Sequence, residues 1–189
     1  MNIYIETKRL ILREILPEDE DGFYELDSNA EVHRFLGSKP SDSIEQTREA
    51  IQFIRQQYID NGVGRLAIIE KSSNHFIGWT GLKLVKELTN NHINFYDLGY
   101  RLIQQAWGKG YATESAIASL QYGFEDLNLT EINAMADSLN VNSQNTLKKV
   151  GFDFVEPFES NGIKQNWYKI KKDQWLDVKR RHSPSYLSQ

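Results

Sequence analysis

The chain has 189 residues, no cysteine, a net charge of −4 and a pI near 5.6. These values exclude disulfides, thiolate metal sites and a cysteine nucleophile, and they argue against the basic balance of a general nucleic-acid binder. With 40% hydrophobic, 12% aromatic and 25% charged residues, the chain is expected to form one domain over residues 1–189 with a core of its own. The opening MNIYIETKRL lacks an apolar leader and no run approaches bilayer-spanning length, so a cytoplasmic protein without membrane or nucleic-acid partners is expected.

Along the chain, RLILREI (Arg9 to Ile15) alternates apolar and polar residues over part of its length and reads as a strand. PEDEDGFYEL follows, with a proline and acids suited to a helix's first turn. Ile44, Thr47, Ile51, Ile54 and Tyr58 recur at spacings of three and four, which predicts an amphipathic helix between Ser43, as cap, and Asp60. GRLAIIEK, HFIGWTGLKLV and INFYDLGYRLI are β-rich segments separated by polar turns and read as an antiparallel meander. A glycine-bearing loop within QAWGKGYATESA then leads into a helix marked by Ala116, Ile117, Leu120, Phe124 and Leu127. EINAMAD reads as a strand and NVNSQNTLKKVGF as a short helix with an Asn/Ser-rich start, two lysines in its last turn and Gly151 at its end. FDFVEPF and KQNWYKI can pair as a hairpin across ESNG, and the basic KKDQWLDVKRRH reads as a solvated end. No internal repeat or break in composition marks a second domain.

The loop before the central helix carries the first chemical signal. Glycine permits φ > 0 and close backbone approach, and the first N–H groups of a helix attract an anion, although a tight turn with no ligand would use the same residues. A P-loop needs Ser or Thr after its lysine, whereas Lys109 precedes Gly110. A dinucleotide fingerprint needs Gly or Ala three residues after its second glycine, where this chain has Thr113. There is no G-x-S-x-G or H-E-x-x-H, and His33, His75, His92 and His182 show no ligand spacing.

Taken in order, ETKRLILR, IGWTGL, YDLGYRL, WGKGYATES and NVNSQNTLKKVGF resemble the GNAT superfamily of N-acetyltransferases over nearly the whole chain. Within it they resemble the ribosomal-protein N-terminal (alanine/serine) acetyltransferase branch. The family's loop pattern, Gln/Arg-x-x-Gly-x-Gly/Ala, places Trp107 first, Gly110 fourth and Ala112 sixth; tryptophan at the first position is usual in the ribosomal branch. A second register, Gln105, Gly108 and Gly110, also satisfies the letters but spoils the spacing to the helix.

The resemblance implies an α/β (α+β) acyl-CoA N-acyltransferase fold: a mixed, largely antiparallel sheet flanked by helices and splayed near Tyr100. It implies acetyl-CoA as cosubstrate, no metal, and a primary amine as acceptor, among them a protein N-terminus, a polyamine, an amino acid derivative or an aminoglycoside. A homodimer is compatible with it. The pyrophosphate would lie on Trp107, Gly108, Lys109, Gly110, Tyr111 and Ala112, and backbone groups of Tyr100, Arg101 and Leu102 would hold pantetheine like an added strand. Direct transfer is the natural route without cysteine. Asp97 lies on the strand where many relatives carry an acid and is the candidate base; alternation puts it on one face with Gly99 and Arg101, and a solvated strand carboxylate is the other reading. Glu114 is a rival carboxylate whose place in a helix's first turn the macrodipole already explains. Many relatives carry an acidic tyrosine where this chain has Leu147; Ser143 matches the serine that faces the sulfur in the ribosomal branch, and Asn140 matches the asparagine that contacts the pantetheine arm. Helix capping accounts for Asn140 and Ser143 equally well. A catalytically idle acyl-CoA-binding sensor or interaction domain is the alternative function.

Overall fold

The computed structural model describes residues 3–36 and 40–182. Its strands are β1 (Tyr4–Glu6), β2 (Leu10–Glu14), β3 (Leu66–Glu70), β4 (His75–Val85), β5 (Phe95–Leu102), β6 (Glu131–Asp137), β7 (Asp153–Ser160) and β8 (Ile163–Lys171). They form one sheet in the order β1-β2-β3-β4-β5-β6-β8-β7. Every neighbouring pair is antiparallel except β5 and β6, which are parallel and joined through a helical crossover. The expected mixed, largely antiparallel sheet is therefore present, with the meander at β3 to β5 and the hairpin at β7 and β8.

Helices α1 (Glu20–Asp27), α2 (Ala30–His33), α3 (Ile44–Asn61), α4 (Tyr111–Gln121), α5 (Val141–Lys149) and α6 (Lys172–His182) complete the fold. Strand alternation sorts them onto two faces. Leu82 of β4 and Leu98 of β5 pack with Ala116 and Leu120 of α4 and Leu147 of α5. On the other face Ala67 and Ile69 of β3 pack with Phe23 of α1 and Ile51 of α3. Burying both sheet faces in this way supplies the main stabilising term.

Local chemistry fixes the ends of these elements. The Ser43 hydroxyl accepts the Gln46 N–H at 3.4 Å to open α3, and Gly62 at φ 67° closes it. Asn161 and Gly162 both take positive φ, 52° and 77°, as a tight hairpin turn requires. The basic C-terminal stretch corrects the reading of a solvated end. It forms α6, and Trp175 and Val178, three residues apart, are 1% and 2% exposed in the core of the α4/α5 face. Phe124 stacks on Trp175 with ring centroids 6.0 Å apart. The short β1 and α2 carry too few residues to show a period and were not anticipated.

Candidate active site

β5 and β6 are in register at Asp97 and Asn133 alone. Beyond that point Tyr100, Arg101 and Leu102 pair with β4 through Thr80, Trp79 and Gly78, and their β6 side opens into a wedge. The chain leaves β5, turns through the glycine loop and enters α4. Asn140, after β6, opens α5 on the same face.

The loop is built without filling itself. Gly108 and Gly110 adopt φ 74° and 79°, in the left-handed region that glycine enters at no steric cost. A Cβ at Gly108 would meet no atom within 4 Å, and one at Gly110 would meet only Arg9 Nη2 at 3.5 Å. Gly110 is also the N-cap of α4 and gives no side-chain cap, so the first N–H groups of the helix look outward. Open space, unfilled helix-end donors and positive dipole together fit an anionic group. Tyr111 and Ala112 turn their side chains into the core and would serve a ligand through their backbones.

Residues distant in sequence hold this loop. The Arg9 guanidinium donates to the Lys109 carbonyl at 2.8 Å and to Glu114 Oε2 at 2.7 Å, and lies 4.4 Å from the Tyr111 ring centroid. Thr7 Oγ1 and the Arg9 backbone N–H donate to Glu114 Oε1 at 2.7 and 2.9 Å. Burial favours the neutral form of Glu114, but these hydrogen bonds and the Arg9 charge outweigh it and hold the carboxyl below its usual range. Glu114 thus ties the loop to the N-terminal strands. The Tyr111 hydroxyl donates to Glu70, and the Trp107 indole N–H donates to the Leu102 carbonyl at 2.9 Å, linking the loop to the end of β5.

Asp97 is 6% exposed and is not a solvated carboxylate. Arg65, which precedes β3, donates from Nη2 to Asp97 Oδ2 and from Nη1 to the Asp97 carbonyl at 2.7 Å and to the Gly81 carbonyl. Its guanidinium lies on Gly99, where a Cβ would come within 2.7 Å of Nη2. Trp79 contacts two cations, with the Arg65 and Arg101 guanidinium groups at 5.4 and 5.0 Å from its ring centroid. Arg101 in turn pairs with Asp27 of α1, which lies 3.7 Å from His33 of α2. Burial pushes the Asp97 carboxyl up, and Arg65 and Lys83 pull it back without cancelling the rise. A raised carboxyl is a better proton acceptor near neutral pH than an ordinary one.

Ser143 and Tyr100 meet on the opposite face. Asn140 Oδ1 accepts the Ser143 N–H at 3.0 Å, so Asn140 is the cap of α5 and Ser143 is the third residue of the helix rather than a cap. The Tyr100 hydroxyl lies 3.1 Å from both Ser143 Oγ and the Ser143 carbonyl oxygen. Burial pushes the Tyr100 phenol up to about 12. Leu147 is 1% exposed and belongs to the core.

The sequence reading therefore named residues that gather at one wedge, but Asp97 and Ser143 face opposite sides of the sheet and do not touch one another. It missed Arg65, Arg9 and the Tyr100 phenol. Alternation alone would have found the last, because Leu98, Tyr100 and Leu102 share the side of β5 that faces α4 and α5. A cavity of about 750 Å³ on the α1 side is lined by Arg13, Glu18, Glu25 and Phe76 together with Lys109 and Tyr111 of the glycine loop, and includes none of Asp97, Tyr100 or Ser143. Among the described residues no helix is long and apolar enough to cross a membrane, and no three His, Asp or Glu side chains gather as a metal site.

Comparison with known proteins bears on this geometry. The model of the acetyltransferase (GNAT) domain matches residues 9–153. An uncharacterized N-acetyltransferase of Bacillus subtilis strain 168, YoaA, is 33% identical over 148 residues, 78% of this chain and 81% of that one. An uncharacterized N-acetyltransferase of Bacillus licheniformis, p20, is 29% identical over 165 residues, 87% of each chain. A Vibrio cholerae structure, provisionally described as a ribosomal-protein-serine acetyltransferase, superposes with a TM-score of 0.71 at 20% identity over 89% of this chain and 97% of that one, a likeness of fold. The matched span runs from the Arg9 strand, across the glycine loop and wedge, to the start of β7, and with it the chain belongs to the GNAT acetyltransferase family.

Proposed function

We propose that the chain transfers an acetyl group from acetyl-CoA directly to a primary amine, with a protein N-terminus as the first acceptor to test. The observation that carries this is the wedge between β5 and β6 beside a glycine loop whose Gly108 leaves open space at an uncapped helix start. Backbone N–H groups of the loop and of α4 would take the pyrophosphate, and the free β6 side of Tyr100 to Leu102 would take pantetheine as an added strand. Trp107 and the Asn/Ser start of α5 favour the ribosomal branch and hence an N-terminal acceptor.

Acetyl transfer needs a proton removed from the incoming ammonium and a donor for the departing thiolate. Asp97, directly or through a water, serves as the base: its raised carboxyl, held against Arg65, faces the α1/α2 side of the wedge. Ser143 serves the sulfur from the α5 side. Base and donor thus stand on opposite faces of the sheet, so that the amine can enter by one face while the thiol departs by the other. Backbone N–H groups of β5 at the wedge can polarise the thioester oxygen.

The test is release of coenzyme A from acetyl-CoA against a panel of amines: peptides with free Ala or Ser N-termini, the same peptides blocked at the N-terminus, a polyamine and an aminoglycoside. Turnover restricted to free N-termini is expected. Tight acetyl-CoA binding with no turnover on any amine would favour the idle sensor instead, and turnover on another amine alone would move the acceptor.

A further inference from the structure

The chain lacks a tyrosine at Leu147, yet a phenol reaches α5 from the other wall of the wedge. Tyr100 rises from β5 on the helix-facing side, and its hydroxyl stands 3.1 Å from Ser143 Oγ and 3.1 Å from the Ser143 carbonyl. Its ring packs against the core of that face, which fixes the hydroxyl where it is.

The phenol has one proton, which it can donate to Ser143 Oγ or to the Ser143 carbonyl, and the Thr146 side chain is a further hydrogen-bond partner of its oxygen. Donated to Ser143 Oγ, it leaves the serine proton free to point elsewhere. Without it the serine hydroxyl falls back on a backbone carbonyl of its own helix, the usual partner of a helical serine, and its proton is turned away from the ligand.

We propose that Tyr100 is the relay partner of Ser143, a positioning residue that orients the serine hydroxyl toward the departing sulfur and replenishes its proton. This rests on the acetyl-transfer reading above, in which Ser143 faces the thiolate. In the step, the amine's lone pair forms the C–N bond, the C–S bond breaks and its electron pair stays on sulfur. The ammonium gives up two protons, one before attack to free the lone pair and one from nitrogen once the C–N bond has formed, each passing through Asp97 to solvent. Sulfur takes the Ser143 proton, Ser143 Oγ takes the Tyr100 proton, and water returns one to the phenol. The products are the amide and the free thiol. Burial pushes the phenol up to about 12, so the donor stays protonated throughout an ordinary assay range.

The test compares wild type with Tyr100→Phe, Ser143→Ala and the double variant on two donors. One is acetyl-CoA; the other is its selenium analogue, whose selenolate leaves without a proton. With acetyl-CoA, Tyr100→Phe is expected to lower kcat about tenfold to a hundredfold, with acetyl-CoA affinity and the shape of the pH profile unchanged. With the selenium donor the loss should shrink to less than about threefold, and the double variant should be no slower than Ser143→Ala alone. Equal losses on both donors, or a loss that follows weakened acetyl-CoA binding or a lower melting temperature, would overturn the relay and leave Tyr100 as a strut between β5 and α5. Should Tyr100→Phe fail to fold, 3-fluorotyrosine at position 100 keeps the shape and acidifies the phenol; turnover of acetyl-CoA should then rise relative to the selenium donor, and an unchanged ratio would contradict the relay. A wild type that acetylates no amine would instead remove the acetyl-transfer reading. Normal wild-type turnover with an unaffected Tyr100→Phe would remove the relay alone.

Discussion

Arg65 meets Asp97 from 32 residues earlier in the chain, and the pair decides what a carboxylate on β5 can do. Because the folded chain holds the Asp97 proton more tightly than an exposed aspartate would, the basic form accumulates only as pH rises through a value above the ordinary carboxylate range. The rate should rise with pH along that ionisation. The same shift works on stability with the opposite sign: protonated Asp97 favours the folded state, and that contribution is lost as pH rises through the raised folded-state value. Asp97→Asn is expected to lower kcat by about 10² to 10⁴ and to abolish the rising limb, with little loss of acetyl-CoA affinity. Steady-state rates over a pH series check this, and equal turnover in both proteins would take Asp97 out of the mechanism. The face on which Asp97 lies was legible from strand alternation, but its partner was not. Arg65 sits in a loop before β3 with no local pattern to mark it, and Arg9 reaches Glu114 across 105 residues in the same way. Long-range ion pairs leave no trace in a local window of sequence.

α5 separates two roles that its sequence had run together. Asn and Ser near a helix start both read as caps, because either side chain can accept an orphan N–H. The structure gives the cap to Asn140 and leaves the Ser143 hydroxyl with Tyr100. Asn140→Ala should therefore cost about 1 kcal/mol, a drop of roughly 2–4 °C in Tm for a chain of this size. Ser143→Ala should melt near the wild type while losing about tenfold to a hundredfold in kcat. Thermal melts beside rates distinguish them, and the reverse pattern would return Ser143 to a purely structural part. α6 escaped the sequence reading for a different reason. Its charges dominate the composition, and among residues 172–180 only Trp175 and Val178 are buried; two anchors are too few to make a period stand out, although one buried tryptophan outweighs many solvated lysines in area removed from water.

The sheet as a whole was readable where turn chemistry and alternation agree, in β3 to β5 and in the β7/β8 hairpin. The single parallel contact was not readable from pattern alone, since a strand does not state which neighbour it will pair with; the splay at Tyr100 entered through the family resemblance, and the pairing at Asp97 and Asn133 gives it a position. In the proposed acetyl transfer, that splay and the glycine loop are the parts of the molecule that would recognise acetyl-CoA. Calorimetric titration of acetyl-CoA into wild type and Gly110→Val tests that recognition most directly. Valine at φ 79° is strained and places a branched side chain at the helix start, so the titration belongs at a temperature where melting shows the variant folded. The account predicts binding weakened at least about tenfold, roughly 1.4 kcal/mol. Unchanged affinity in the folded variant would contradict it and reduce the loop to a turn between a strand and a helix.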